Sequence, residues 1–381
     1  MSPWRQRLAG IWFFKVLSSL QLTVVCLLLL LILTFWGTVA QIHQGLYVTQ
    51  ERFFHSFFFL ALGFFPFPGA QLVLWILFFN LVSMAITRFI YRWQNLGILV
   101  VHFGLLTYFV AAYVTLHGVE ESQLTLKEGQ SSDTSADYRQ WELSVWKEKS
   151  GDKKIMAYNT DDFSPGKVLD FSDQGFTVTV EAYFANAQGY TDAIEKKDIP
   201  FNISGIEWLK PLESQKDIEK NIPGGIFQIE TKEGQKLRLL LFGAEEEPTP
   251  LNPGGKTYYF LLRHRRYPLP VQMKLVDFLM ERHPQTDIAR SYESKVSVQA
   301  NNLSRDVLIS MNKPFRFKNY TFYQASYSID PQGQEYSTFA VVRNAGRLLP
   351  YISSLLTFAG LVIHFGISGL IKTQGEMISN G

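Results

Sequence analysis

Two histidines stand where an imidazole is expensive. His102 lies in LGILVVHFGLLTYFVAAYVTL, Leu96 to Leu116, a stretch without Lys, Arg, Asp or Glu, and His364 lies in a second apolar stretch, Leu348 to Leu370. Ionisable side chains inside a bilayer are costly and default to a functional role. Three chemistries are open to them: ligation of haem or another metal, hydrogen bonding between helices, and proton transfer. His43, His55 and His117 fall near the ends of apolar stretches. Each reads first as an interfacial polar group and second as a receiver of cargo that has crossed the membrane.

Other chemistry is sparse. The single cysteine, Cys26, rules out an internal disulfide, a CxxC redox pair and an attachment motif for c-type haem. No Walker loop, HExxH or GxSxG occurs, and the Asp and Glu residues show no metal-ligand spacing. A net charge of +2 gives no basis for binding nucleic acid. RHRR, Arg263 to Arg266, reads as a solvated strand end, with contact to an anionic headgroup or a propionate as the alternative. The NIS and NLS triplets at Asn202 and Asn302 are too short a pattern to carry weight.

The elements that must position the histidines follow from hydropathy. Residues 1–117 read as a membrane anchor with three transmembrane helices, about 16–36, 70–90 and 96–116. Between the first two, FFHSFFFLALGFFPFPG is apolar but too short to span. It reads as an interfacial helical segment, 53–65, ended by Pro66 and Pro68. Residues 118–346 alternate with period two in pieces such as WELSVWK, FTVTVEAYF and LRLLLFG, separated by Gly, Pro, Asp and Asn, the pattern of antiparallel strands with one wet face. Residues 347–381 hold a fourth helix, about 348–370, and a short tail. The fold class is therefore a membrane protein with four transmembrane helices and a large β-rich extracytoplasmic domain inserted between the third and fourth.

Arg5, Arg7 and Lys15 before the first helix, and Arg88 and Arg92 between the second and third, place both ends of the chain in the cytoplasm and the inserted domain outside. His102 then lies about six residues past the inner end of the third helix, and His364 about six residues before the inner end of the fourth. At 1.5 Å per residue both sit roughly 9 Å from the cytoplasmic end. They are expected at one depth on antiparallel helices, where two imidazoles can supply both axial ligands of a haem iron. Gly104 and Gly366, each two residues further on, are expected to leave room for a flat macrocycle, or to serve helix packing.

The chain resembles the ResB family of cytochrome c biogenesis, the System II or Ccs pathway. KVLSSLQLTVVCLLLLLILTFWGTVAQ resembles that family's first helix, and LVVHFGLLTYFVAAYVT its third. NKPFRFKNYTFYQASY resembles its late periplasmic signature, after which the final helix follows. The resemblance implies a multi-pass protein of the bacterial inner membrane with its large domain in the periplasm. It implies a subunit, non-catalytic or co-catalytic, of a haem export and attachment complex. The cofactor implied is haem b, transported or transiently bound. The partners implied are a CcsA/ResC-type membrane protein, apocytochrome c and a thiol-reducing protein that keeps the apocytochrome ready. Carried onto this sequence, it suggests His102 as an axial ligand, and the depth argument adds His364. The alternative function is the membrane anchor of a haem-containing electron-transfer complex.

Overall fold

The structure, a computed structural model, describes residues 3–147, 154–192, 199–286, 289–301 and 303–379. Asn302 of the NLS triplet and the last two residues of the tail lie outside the described residues. The chain forms two compact units, Met1–Glu120 with Arg343–Gly381, and Glu121–Val342.

The first unit is helical. Its elements are α1 (Pro3–Gly10), α2 (Trp12–Leu17), α3 (Leu20–Gln44), the single turn α4 (Leu46–Thr49), α5 (Ala70–Thr87), α6 (Leu96–Gly118) and α7 (Leu349–Ser379). Among the described residues, four stretches are long and apolar enough to cross a membrane: Leu20–Gln44, Ala70–Thr87, Trp93–Gly118 and Leu349–Gly369. The first apolar run is broken near its start, because α2 ends at Leu17 and α3 begins only at Leu20. Ser19 is the N-cap of α3, its hydroxyl accepting from the Gln21 amide. The carbonyls freed by the break need donor partners, since lipid supplies none. Buried Asn80 of α5 meets that need: its amide donates to Leu17 O at 2.6 Å and Ser19 O at 3.0 Å, and its oxygen accepts the Thr23 hydroxyl at 2.8 Å.

The segment expected as an interfacial helix over 53–65 folds differently. A π-turn, Gln50–Phe54, leads into a hairpin of β1 (Phe58–Ala61) and β2 (Phe65–Pro68). Two prolines in four residues cannot sit inside a helix, whereas Leu62 and Gly63 take positive φ, +54° and +85°, and turn the chain back on itself. Phe59, Phe67 and Phe53 then pack around Trp36 of α3, with ring centroids 5.5–5.7 Å from its indole.

The second unit is built from strands, β3 (Val119–Lys127) and β18 (Glu335–Asn344) entering it from the first. Between them lie β4 (Ser131–Lys147), β5 (Ile155–Asn159), β6 (Val168–Phe171), β7 (Phe176–Phe184), β8 (Ala187–Tyr190), β9 (Trp208–Pro211), β10 (Gly224–Thr231) and β11 (Lys236–Phe242). The remainder are β12 (Thr249–Leu251), β13 (Tyr258–Arg282), β14 (Ala289–Ala300), β15 (Leu303–Ser310), β16 (Phe315–Phe317) and β17 (Tyr320–Ile329). One sheet runs β11-β10-β7-β6; a larger one runs β15-β14-β13-β4-β3-β18-β17-β16, with β5 on β4 and β12 on β13.

Two cores result. In one, Phe176, Val178, Phe227 and Leu239 face Leu143, Val145 and Phe260 as a sandwich. In the other, Leu126, Met273, Val296, Ile309, Phe322 and Phe339 fill the curl of the larger sheet. Burying such a Phe or Leu contributes about 1.5–3 kcal/mol each. The late block NKPFRFKNYTFYQASY sits in this second core: Phe315 and Phe322 are buried, and Gln324 closes a buried triad with Ser294 and Ser337, each link 2.8 Å. RHRR is not a strand end, since Arg263–Arg266 lie inside the 25-residue β13 at a break in its pairing with β4.

Candidate functional site

Helices α6 and α7 pack antiparallel over their whole shared length, and small residues make this possible. Gly97, Gly104 and Ala111 recur every seven residues on α6, as Gly346, Ser353 and Gly360 do on the α7 side. A Cβ added to Gly97 would lie 2.5 Å from His364 Cα; one on Gly104 would strike Thr357; one on Gly360 would lie 2.6 Å from Val101 N. The Ser353 hydroxyl crosses the seam to Gly104 O at 2.7 Å. Backbones approach this closely only where side chains are absent or small.

This register decides where the two histidines stand. Gly97 opposes His364 and Val101 opposes Gly360. His102 lies five residues beyond Gly97, so the two histidines are displaced by about 7.5 Å along the helix axis. They are also turned apart. Five residues at roughly 100° each carry His102 some 140° around α6 from the seam, onto the face of Phe109 and Tyr113, which pack on Phe78 and Trp75 of α5. The expected common depth is therefore corrected. It was counted from the ends of apolar runs, which locate a helix end only to within several residues.

Each histidine has a distinct surrounding. His102 Nδ1 is 2.8 Å from Ile98 O. A carbonyl can only accept, so Nδ1 is the donor, and it is Nε2 that a neutral imidazole would offer to a metal. Nε2 has no hydrogen-bond partner among the described residues. The Phe89 ring meets the imidazole edge-on at 6.1 Å, and Phe89 is itself held: its carbonyl accepts from Arg5 Nη2 at 2.7 Å, while Arg5 Nε donates to Ile86 O. The same guanidinium lies over Tyr91 at 4.7 Å. Arg5 thereby caps the carbonyl end of α5, where a cation is favoured. Neither the ring of Phe89 beside His102 nor the hold of Arg5 on Phe89 is legible in the sequence.

His364 is seated in the seam, with its Nδ1 buried and unpartnered. The space expected beside Gly104 is filled by Thr357 and Ser353, whereas nothing lies within 4 Å of a Cβ on Gly366. Higher on the His102 face of α6, a cavity of about 410 Å³ opens between α3, α5 and α6, walled by Leu27, Trp75, Phe78, Phe109 and Tyr113. Of the other histidines, His55 pairs with Glu51 at 2.8 Å and His117 packs on Tyr113 at 4.5 Å. His43 is exposed. Among the described residues no group of three or more His, Cys, Asp or Glu could hold a metal ion.

These residues fit one axial position of a haem at His102, with Nδ1 held and Nε2 open. They do not fit two ligands to one iron from His102 and His364 in this packing.

Residues 259–334 match the ResB-like family model. The matched block is the run from β13 to β17 around the second core, about a fifth of the chain, and it supports identification as a ResB-family membrane protein. No curated protein matches the chain.

Proposed function

We propose that this chain is a ResB-like subunit of a cytochrome c assembly complex in the bacterial inner membrane. It ligates haem b within the bilayer and, beside a CcsA/ResC-type partner, presents it to apocytochrome c in the periplasm, where a thiol-reducing protein keeps the acceptor cysteines free. Haem is cargo in this reading, and the chain's own work is to hold and release it. His102 supplies one axial ligand. The second comes from outside the α6/α7 pair, because His364 lies at another level and on another face. The aromatic-walled cavity on the same face of α6 suits a flat apolar group. No thioether chemistry is assigned to this chain.

The observation that carries the reading is the His102 geometry: an imidazole in an apolar helix whose Nδ1 is tied to Ile98 O and whose Nε2 is open. The test is the visible absorption spectrum, oxidised and reduced, of protein purified in detergent with its membrane partner, beside H102A and H364A. A low-spin b-type spectrum that H102A abolishes or turns high-spin, and that H364A leaves in place, is expected. An unchanged spectrum in H102A, or no haem even in the complex, overturns the proposal. Equal loss in both variants would restore the paired ligation that the sequence suggests. Copurification with a quinone-reactive protein and a reversible redox haem would place the chain in an electron-transfer complex instead.

A further inference from the structure

Arg5 is turned inward where its neighbours are not. It is 8% exposed, while Trp4, Gln6 and Arg7 on either side of it are exposed. A buried guanidinium is costly unless its donors are matched. Here the matches are two main-chain carbonyls, Ile86 O and Phe89 O, in and just past the last turn of α5, where helical partners run out. Other groups close the rest of the loop into α6: the Tyr91 hydroxyl donates to Ala85 O at 2.8 Å, and Asn95 Nδ2 to Ile90 O at 2.9 Å. Phe89 lies beyond the helix proper, so α5 alone does not fix it. Its amide shares Met84 O with the amide of Arg88, at 3.1 and 3.0 Å, and its carbonyl is the one that Arg5 Nη2 grips at 2.7 Å.

The side chain of Phe89 meets His102, with ring centroids 6.1 Å apart and planes at 61°. The bond from Nδ1 to Ile98 O fixes one point of the imidazole and leaves the ring free to swing about that point. An aromatic ring set edge-on against it stops the swing. Two contacts therefore decide where Nε2 aims: one from α6 itself, and one brought by the segment that Arg5 holds. Groups that fix the ring of a metal-ligating histidine govern how well it ligates.

We propose that Arg5 is a positioning residue for His102: by gripping the Phe89 carbonyl it keeps the phenyl ring against the imidazole and so fixes the direction of the Nε2 lone pair. α1 is then a strap that reaches the candidate site through one buried side chain. The role of His102 as a ligand rests on the function proposed above, whereas the hold on its ring is a property of the haem-free chain.

The test is nitrogen NMR of histidine-labelled, haem-free protein in detergent, with the His102 signals assigned by their loss in H102A. The ratio of the hydrogen-bonded Nδ1–H form to all others should fall by roughly 2- to 12-fold in R5Q, the weight of one aromatic edge contact. F89A, which leaves Arg5 and α1 in place, should give a fall of the same size. R5K, which keeps the charge but loses the fork, should lie between R5Q and the native chain. R5Q and F89A together should fall no further than F89A alone, because residues acting through one contact are not additive. N95A frees Ile90 O in the same loop but leaves Phe89 gripped, and it should match the native chain. A native ratio in R5Q, a sum of the two effects in the double variant, or an equal fall in N95A overturns the positioning and leaves Arg5 a cap of α5 only. Haem retention is read separately on the complex with the membrane partner, where R5Q should surrender haem to excess apomyoglobin faster by about the same factor. No haem in that complex overturns the ligand reading, and the nitrogen ratios still decide the positioning.

Discussion

Gly97→Ala is the sharpest probe of the α6/α7 seam, because helix propensity and packing push it in opposite directions. Alanine in a helix interior is favoured over glycine by about 1 kcal/mol, so propensity alone makes the variant more stable. The structure reverses the sign. The new methyl would lie 2.5 Å from His364 Cα, where ordinary contact begins at 3.4 Å, and both atoms are backbone or backbone-attached. The helices must therefore part by roughly 1 Å, a gap that forfeits a quarter to a half of each contact well. Overpacking of this kind costs about 1–3 kcal/mol, and the bond from Ser353 to Gly104 O is stretched as well, at about 0.6 kcal/mol for a hydrogen bond between membrane helices. Net of propensity, a loss of about 0.6–2.6 kcal/mol is expected. The assay is reversible unfolding of the purified protein by SDS in mixed micelles, followed by a fluorophore pair on α6 and α7. Gly366→Ala is the control, since nothing lies within 4 Å of its Cβ and it should be neutral or slightly stabilising. If Gly97→Ala matches the native chain within about 0.5 kcal/mol, or Gly366→Ala is equally damaging, the seam is wrong, and with it the displacement of His364 from His102.

Asn80→Leu should destabilise the membrane unit by about 1–3 kcal/mol, since it strands the Leu17 and Ser19 carbonyls and the Thr23 hydroxyl; the same SDS titration, with faster trypsin cleavage at Lys15, reports it. Gln324→Leu should lower the melting of the β unit by a comparable amount, as Ser294 and Ser337 keep only each other; near-ultraviolet dichroism during a thermal ramp measures this. His264 is held below the usual imidazole range by desolvation, which outweighs the attraction of Asp137. Its neutral form is therefore favoured in the fold, and its contribution to stability is present above about pH 6.5 and lost as the pH falls from there through the lowered folded value. His264→Phe should flatten that part of a pH-stability curve, and a curve as steep as that of the native chain would contradict the assignment.

How much of this was legible in the chain differs by element. The four crossings were readable because an apolar run of about 20 residues has few other uses, and period-two alternation marked the region between the third and fourth as strands. Other features depended on what each residue meets. The hairpin at Phe58–Pro68 depended on Leu62 and Gly63 accepting positive φ and on Trp36 being there to receive Phe59 and Phe67. The RHRR run looked like a strand end because nothing in β13 alone shows that four residues of β4 bulge against it.

The histidines divide the same way. That His102 and His364 occupy apolar helices follows from the sequence alone, because only side-chain polarity and run length enter. Whether they face each other depends on the rotation and axial register of α6 against α7, which tertiary contact decides. The seven-residue recurrence of Gly97, Gly104 and Ala111 was visible, but its meaning required knowing that Gly346, Ser353 and Gly360 answer it across the seam. Apolar runs constrain depth only loosely, since lipid tolerates sliding by several residues, whereas two backbones that meet through glycine tolerate almost none.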